Sequence, residues 1–182
     1  MVFFATSNPH KFDEAAAILK KAGIIAERFP FEHREMRSDD LEEVAREAVE
    51  EAFRRCQSPV FVEDSGLFVD ALNGFPGTYS AWALRKIGCE GLLRLMKGVS
   101  RRSARFEACI AYHDGSEITC FRGVCPGRIA EEARGRGGFG YDPVFVPEGG
   151  TQTFSENASL KNALSHRYKS LLEFSKYFAA RV

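Results

Sequence analysis

The sequence predicts an α/β fold built on a mixed sheet, and three observations carry that prediction. Short continuous apolar runs at Val2–Ala5, Val60-Phe61-Val62 and Val144-Phe145-Val146 read as buried strands. Between them lie segments whose apolar residues recur at helical spacing. Residues 105–112 and 117–124 flank His113-Asp114-Gly115-Ser116 and read as an antiparallel hairpin. Strands that alternate with helices, together with a hairpin, put parallel and antiparallel pairing into one sheet. At 182 residues the chain suffices for one substantial domain, or two lobes sharing a core. No internal repeat, low-complexity tract or linker divides it, so one domain with a cleft is expected.

Taken in order, Val2–Ala5 stops at Thr6-Ser7-Asn8-Pro9, where Asn8 is a good N-cap and Pro9 suits the first helical position. Phe12, Ala15, Ala16, Leu19 and Ala22 then mark a helical face that Gly23 closes. Residues 24–29 resume extended structure, and residues 32–38 read as a polar loop. Asp39 and Glu42 have capping-box spacing and open a helix with Leu41, Val44, Ala45, Ala48 and Ala52 inward. Residues 60–62 form a short strand expected to end in Glu63-Asp64-Ser65-Gly66. Asn73-Gly74-Phe75-Pro76-Gly77 is a turn-rich loop. Residues 79–97 read as one or two helices broken near Gly88. After the hairpin, Pro126-Gly127 starts a further short extended run, 128–130. A loop follows the last strand from Pro147 to about Ser159. The final helix is expected to carry Leu164, Tyr168, Leu171, Leu172 and Phe178 on one face.

Composition narrows the function. Twenty-five basic and 25 acidic residues cancel, so no global field draws the chain to DNA, RNA or anionic lipid. A small anionic ligand needs only local positive charge. The five cysteines are odd in number and contain no C-x-x-C pair, which fits reduced thiols in a cytoplasmic protein. The first five residues have no basic leader, their apolar run is too short for a signal peptide, and nothing approaches a membrane span.

Three polar clusters could carry chemistry. Thr6-Ser7-Asn8-Pro9-His10-Lys11 turns a strand into a helix, and free N–H groups at a helix start receive phosphate. The plainer reading is that Asn8 only caps the helix and Lys11 is solvated. There is no Walker A motif. Glu63-Asp64-Ser65-Gly66 places acids at the end of a buried strand, where carboxylates near phosphate suggest Mg²⁺, with Glu35 from the polar loop completing the set. Alternatively, Asp64 caps a turn. Gly137-Gly138-Phe139-Gly140-Tyr141-Asp142-Pro143, followed by Lys161 and Ser165-His166-Arg167, supplies aromatic faces for a base and cations for its oxygens. That stretch could equally be a glycine-rich turn with core aromatics. Together the clusters amount to a phosphate cradle, metal-and-base carboxylates and a base pocket.

At these residues the chain resembles the inosine triphosphate pyrophosphatases, the house-cleaning nucleoside triphosphate pyrophosphatases. The likeness runs almost end to end through Thr6-Ser7-Asn8 with Lys11, Glu35, Glu63-Asp64-Ser65-Gly66-Leu67, Gly74-Phe75-Pro76-Gly77, Gly138-Phe139-Gly140-Tyr141-Asp142-Pro143, and Lys161 with Ser165-His166-Arg167. The wording from Ser65 to Tyr79 is most similar to archaeal members. One departure stands out: many relatives carry a lysine in the helix after the metal-binding glutamate, whereas Arg46-Glu47-Ala48-Val49-Glu50 has none.

The resemblance implies an elongated mixed sheet with flanking helices, forming two lobes around a central cleft, and a homodimer. It implies hydrolysis of deaminated purine nucleoside triphosphates (ITP, dITP, XTP) to the monophosphate and pyrophosphate. Asp64 would be the proton acceptor and, with Glu35, a Mg²⁺ ligand. Thr6, Ser7, Asn8, Pro9, His10, Lys11 and Ser65 would bind substrate, with Ser7, Asn8 and Lys11 holding phosphate oxygens and Ser65 adding a hydroxyl contact. Phe139, Gly140, Tyr141, Asp142, Lys161, His166 and Arg167 would receive the rest of the nucleotide, with donors from His166 or Arg167 matching a 6-carbonyl and clashing with adenine's amine. Two rivals remain at this stage: a pyrophosphatase for modified pyrimidine nucleotides, and a non-catalytic purine triphosphate sensor.

Overall fold

The computed structural model describes residues 1–33 and 36–181. It is a mixed α/β protein with a seven-stranded sheet in the order β2 (Ala26–Phe29), β1 (Val2–Ala5), β3 (Val60–Val69), β5 (Ser103–His113), β6 (Ile118–Ile129) and β7 (Phe145–Pro147), with β4 (Pro76–Gly77) paired to β3. The chain divides into two compact units. The first comprises Met1–Asp64, Ala108–Gly123 and Arg167–Val182; the second comprises Ser65–Glu107 and Val124–His166.

In the first unit, β1 (Val2–Ala5) leads into α1 (Pro9–Lys21), whose cap is Asn8, with Pro9 in the first turn as expected. β2 (Ala26–Phe29) pairs parallel with β1, and β3 (Val60–Val69) adds a parallel strand through Phe3↔Val60 and Phe4↔Phe61. This register stacks the Phe4 and Phe61 rings at 4.4 Å. α2 (Leu41–Cys56) buries Leu41, Val44, Ala45, Ala48, Val49 and Ala52, close to the expected face. Its cap is Asp40 rather than Asp39: the Asp40 carboxylate accepts from the Glu42 N–H and is also paired with Arg122. The core here joins Val2, Phe4, Leu19, Phe61, Ile110, Leu171 and Phe174.

In the second unit, a 3₁₀ turn (Asp70–Leu72) leads to β4 (Pro76–Gly77), which pairs antiparallel with the outer half of β3. α3 (Ser80–Leu95) is interrupted at Gly88, whose φ of 62° and ψ of −173° only glycine adopts without strain. β7 (Phe145–Pro147) pairs antiparallel with β6 (Ile118–Ile129), which forms the expected hairpin with β5 (Ser103–His113). Leu67, Leu92, Met96, Phe106, Ile129, Tyr141, Phe145 and Phe154 share a second core.

Three sequence expectations need correction. β3 does not stop at Glu63 but runs unbroken to Val69, because β4 supplies partners for Leu67 and Phe68 beyond the polar stretch. β6 continues through Pro126-Gly127 to Ile129 instead of restarting, since β7 pairs with Gly127, Arg128 and Ile129. The C-terminal helix is two helices, α4 (Ala158–Leu164) and α5 (His166–Ala179). Leu164 therefore leaves the proposed stripe, Leu172 is exposed, and the buried positions are His166, Arg167, Ser170, Leu171, Phe174 and Ser175. Among the described residues no helix is long and apolar enough to cross a membrane.

Candidate functional site

The strand-to-helix turn is organised by its own side chains. Thr6 Oγ1 accepts from the Asn8 N–H at 3.1 Å, and Asn8 Oδ1 accepts from the N–H groups of His10 and Lys11. Thr6 is buried, whereas Ser7, Pro9 and His10 are exposed at the helix start. Lys11, one turn in, donates from Nζ to the main-chain carbonyl of Glu63 at 3.0 Å and lies 3.8 Å from its carboxylate. The strand-to-helix turn is thereby tied to the peptide group that precedes Asp64.

Glu63 and Asp64 are consecutive in β3, so their side chains leave opposite faces of the sheet. Glu63 is buried and held on its face by Arg167, which donates from Nε to Oε2 at 2.6 Å and from Nη2 to Oε1 at 3.2 Å. Arg167 Nη1 donates to Glu14 Oε2 at 2.5 Å. Burial works against the Arg167 charge, but attraction and hydrogen bonds from Glu63 and Glu14 outweigh it and hold the guanidinium above its ordinary pKa. Asp64, half-buried, is the carboxylate left on the other face.

In the second unit the aromatic loop folds on Asp142. Its Oδ2 accepts from the Phe139 N–H and from Lys161 Nζ, both at 2.8 Å, and the Lys161 ammonium lies 4.2 Å from the Phe139 ring centroid. Gly138 has φ of 73°, and a Cβ there would meet Asp142 Oδ2 at 2.2 Å, so only glycine permits this close loop. Phe139 is half-buried and Tyr141 is buried. Tyr141 belongs to the core and donates its hydroxyl to the Ser80 carbonyl at 3.1 Å; burial, with the nearby Cys89, pushes its pKa up to about 12. His166 is buried against Phe106, with ring centroids 4.7 Å apart. Gly140 accepts from the Cys89 thiol.

Of the sequence-derived candidates, the first unit therefore gathers Thr6, Asn8, Lys11, Asp64 and Arg167, and the second gathers Phe139, Asp142 and Lys161. Ser65 is a half-buried residue of β3. Glu35 lies outside the described residues. The residues that sequence reasoning missed are Glu14 and the side chain of Glu63. Glu14 carried one signal, its position three residues after Lys11 on the same helix face. Arg46, the cation of the stretch that lacks the relatives' helical lysine, is engaged by Glu42 and the Ile118 carbonyl.

Among the described residues no group of three or more His, Cys, Asp or Glu side chains could hold a metal. The donor chemistry at Asp64 nevertheless suits Mg²⁺, a hard cation that usually takes one or two carboxylates and fills its shell with phosphate oxygens and water.

The comparisons agree with this architecture. The Ham1 family matches residues 2–177. The chain is 45% identical over 175 residues to a dITP/XTP pyrophosphatase of Thermococcus kodakarensis, covering 96% of this chain and 95% of that protein. It is 45% identical over 183 residues to the dITP/XTP pyrophosphatase of Methanopyrus kandleri, covering 100% and 97%. Among solved structures it is similar to a Ham1 protein from Coxiella burnetii, with a TM-score of 0.85, 28% identity and 98% of each chain covered. With nearly the whole length matched in sequence and in fold, the chain belongs to the Ham1 family.

Proposed function

We propose that this chain hydrolyses deaminated purine nucleoside triphosphates (ITP, dITP and XTP) to the monophosphate and pyrophosphate. The observation that carries the reading is the Lys11–Glu63 carbonyl bond, which ties a helix start suited to phosphate to the strand bearing the Asp64 carboxylate. The archaeal relatives named dITP/XTP pyrophosphatases support the substrate class.

The chain's own groups divide the work. Ser7, exposed at the helix start, and the Lys11 ammonium bind phosphate oxygens, with Ser65 adding a hydroxyl. Asp64 accepts the proton of the attacking water as its oxygen bonds to phosphorus and pyrophosphate leaves. Asp64 and Glu35 would hold Mg²⁺, which would supply neutralisation of phosphate charge and orientation of the triphosphate. Phe139 stacks on the base, a contribution blind to base identity. Lys161, His166 and the amides around Gly140 donate to the 6-carbonyl, and an amine at that position meets donors instead of acceptors. A homodimer and a cytoplasmic location belong to the same proposal; five cysteines outside any disulfide fit a reducing compartment.

Incubation with ITP, dITP, XTP, ATP and a modified pyrimidine triphosphate in Mg²⁺, followed by chromatography of products, tests the reading. Inosine monophosphate and pyrophosphate from ITP, with ATP spared, are expected. Release of inorganic phosphate, or preference for the pyrimidine, would overturn it.

A further inference from the structure

The hairpin of the first unit carries two of the five cysteines, Cys109 on β5 and Cys120 on β6. Two bonds give its register: the Asp114 N–H donates to the Glu117 carbonyl at 3.2 Å, and the Ile129 N–H to the Arg102 carbonyl at 2.9 Å. Both place Ala111 opposite Cys120 and Arg122 opposite Cys109. The two cysteines are therefore diagonal neighbours on one face of the hairpin. Ile110 and Tyr112 leave the other face and join the core with Leu171 and Phe174. α2 covers the thiol face: His113 stacks on Phe53 with centroids 3.9 Å apart, Arg46 reaches the Ile118 carbonyl at 3.5 Å, and Arg122 donates to Asp40 at 2.7 Å.

Under this cover Cys109 is fully buried, Cys120 is half-buried, and their thiols are hydrogen-bonded to each other. That bond, set against burial, and the Arg46 charge hold Cys120 below its ordinary pKa; the same bond and burial push Cys109 up. A disulfide does not suit the register. Diagonal residues lie about 7–8 Å apart at Cα, beyond the roughly 4.4–6.8 Å usual for an S–S bond. Two sulfurs in contact suit a single ion between them, because two metal–sulfur bonds of about 2.3 Å span roughly 4.6 Å. Thiolates select soft ions such as Cu(I). Two thiolates around a monovalent cation leave one negative charge, which the Arg46 and Arg122 guanidinia answer. Zn²⁺ takes four ligands, and among the described residues no third His, Cys, Asp or Glu completes a set with the pair.

We propose that Cys109 and Cys120 form a two-coordinate site for a soft monovalent cation of the Cu(I) type, seated between the hairpin and α2. Binding forms two sulfur–metal bonds and releases the thiol protons to solvent; no electron is transferred. The site uses none of the residues assigned to hydrolysis, so it goes beyond that reading and stands apart from it.

The test is an anaerobic titration of the full, reduced chain with Cu(I) held by bicinchoninate, a chromogenic chelator. The parent is expected to withdraw one equivalent from the chelator and to gain an ultraviolet thiolate-to-copper absorption. Cys120→Ser, at the half-buried position, and Cys109→Ala, which leaves no buried hydroxyl, should each lose that equivalent, with circular dichroism as a check on the fold. Cys56→Ser should retain it, because Cys56 lies at the end of α2, outside the pair. Zn²⁺ offered at the same concentration should stay with a competing chelator. The proposal is overturned if the parent leaves all Cu(I) with bicinchoninate, if Cys120→Ser still takes up one equivalent, or if Zn²⁺ is held as firmly as Cu(I). Quantitative cross-linking of the Cys109 and Cys120 peptides by dilute peroxide, read by mass spectrometry, would overturn the geometry on which it rests.

Discussion

In the first unit the polar groups are joined by residues far apart in the chain, Arg167 to Glu63 across 104 positions and to Glu14 across 153. The second unit achieves its polar cluster over shorter spans: Asp142 captures the Phe139 amide three residues away in a glycine-rich loop, and Lys161 of α4 nineteen away. The long-range cluster sits on helices and a strand, elements that hold a reacting carboxylate to a narrow geometry. Apart from Lys161 on α4, the local cluster sits on a loop, whose shape is set by a few dihedrals and one carboxylate. Proton transfer demands the tighter placement, because small misplacements there cost rate directly. Base recognition by stacking tolerates the looser one.

The sharpest way to break the comparison is Arg167→Ala. It leaves Glu63 buried without its bidentate partner, and a loss of about 3–5 kcal/mol in unfolding free energy by urea titration is expected. Next comes Asp64→Asn, which removes a proton acceptor but little volume; kcat should fall at least ~100-fold while the circular dichroism spectrum is retained. A near-normal kcat would show Asp64 to be structural. In the local cluster, Phe139→Ala should weaken binding of ITP, XTP and ATP alike by about 1–3 kcal/mol, read as parallel rises in KM. A change confined to ITP would mean that the ring discriminates between bases.

The smallest effect is expected at Asp114, in the hairpin turn of the first unit. Three hydrogen bonds from the Glu117 and Ser116 amides and the Ser116 hydroxyl hold its carboxyl down at about 2. A depressed folded-state pKa stabilises above the unfolded value near 3.8 and is lost as pH falls through about 2. Asp114→Ala should therefore cost about 1 kcal/mol at neutral pH and progressively less between pH 4 and pH 2. A pH-independent difference in stability would mean that the turn, not the charge, is responsible.

Much of the molecule is legible from residues close in sequence. The Asn8 cap with Pro9, the break at Gly88, the hairpin about residues 113–116 and the Gly138–Asp142 loop each depend on interactions spanning a few positions, so residue type and spacing reveal them. The same locality made Phe139, Asp142 and Lys161 recognisable as one cluster. Other features were decided only when distant segments met. Glu63-Asp64-Ser65-Gly66 reads as the end of a strand because its composition is polar, yet it lies in the middle of one, since β1 pairs with the strand before it and β4 after it. That Arg167 meets Glu63 and Glu14 is not legible from its neighbours in sequence. Caps, turns and amphipathic spacing act within a turn or two of backbone, and the chain by itself determines them. Where a buried charge finds its counter-charge, and where a strand finds its next partner, depends on which elements the tertiary fold brings side by side.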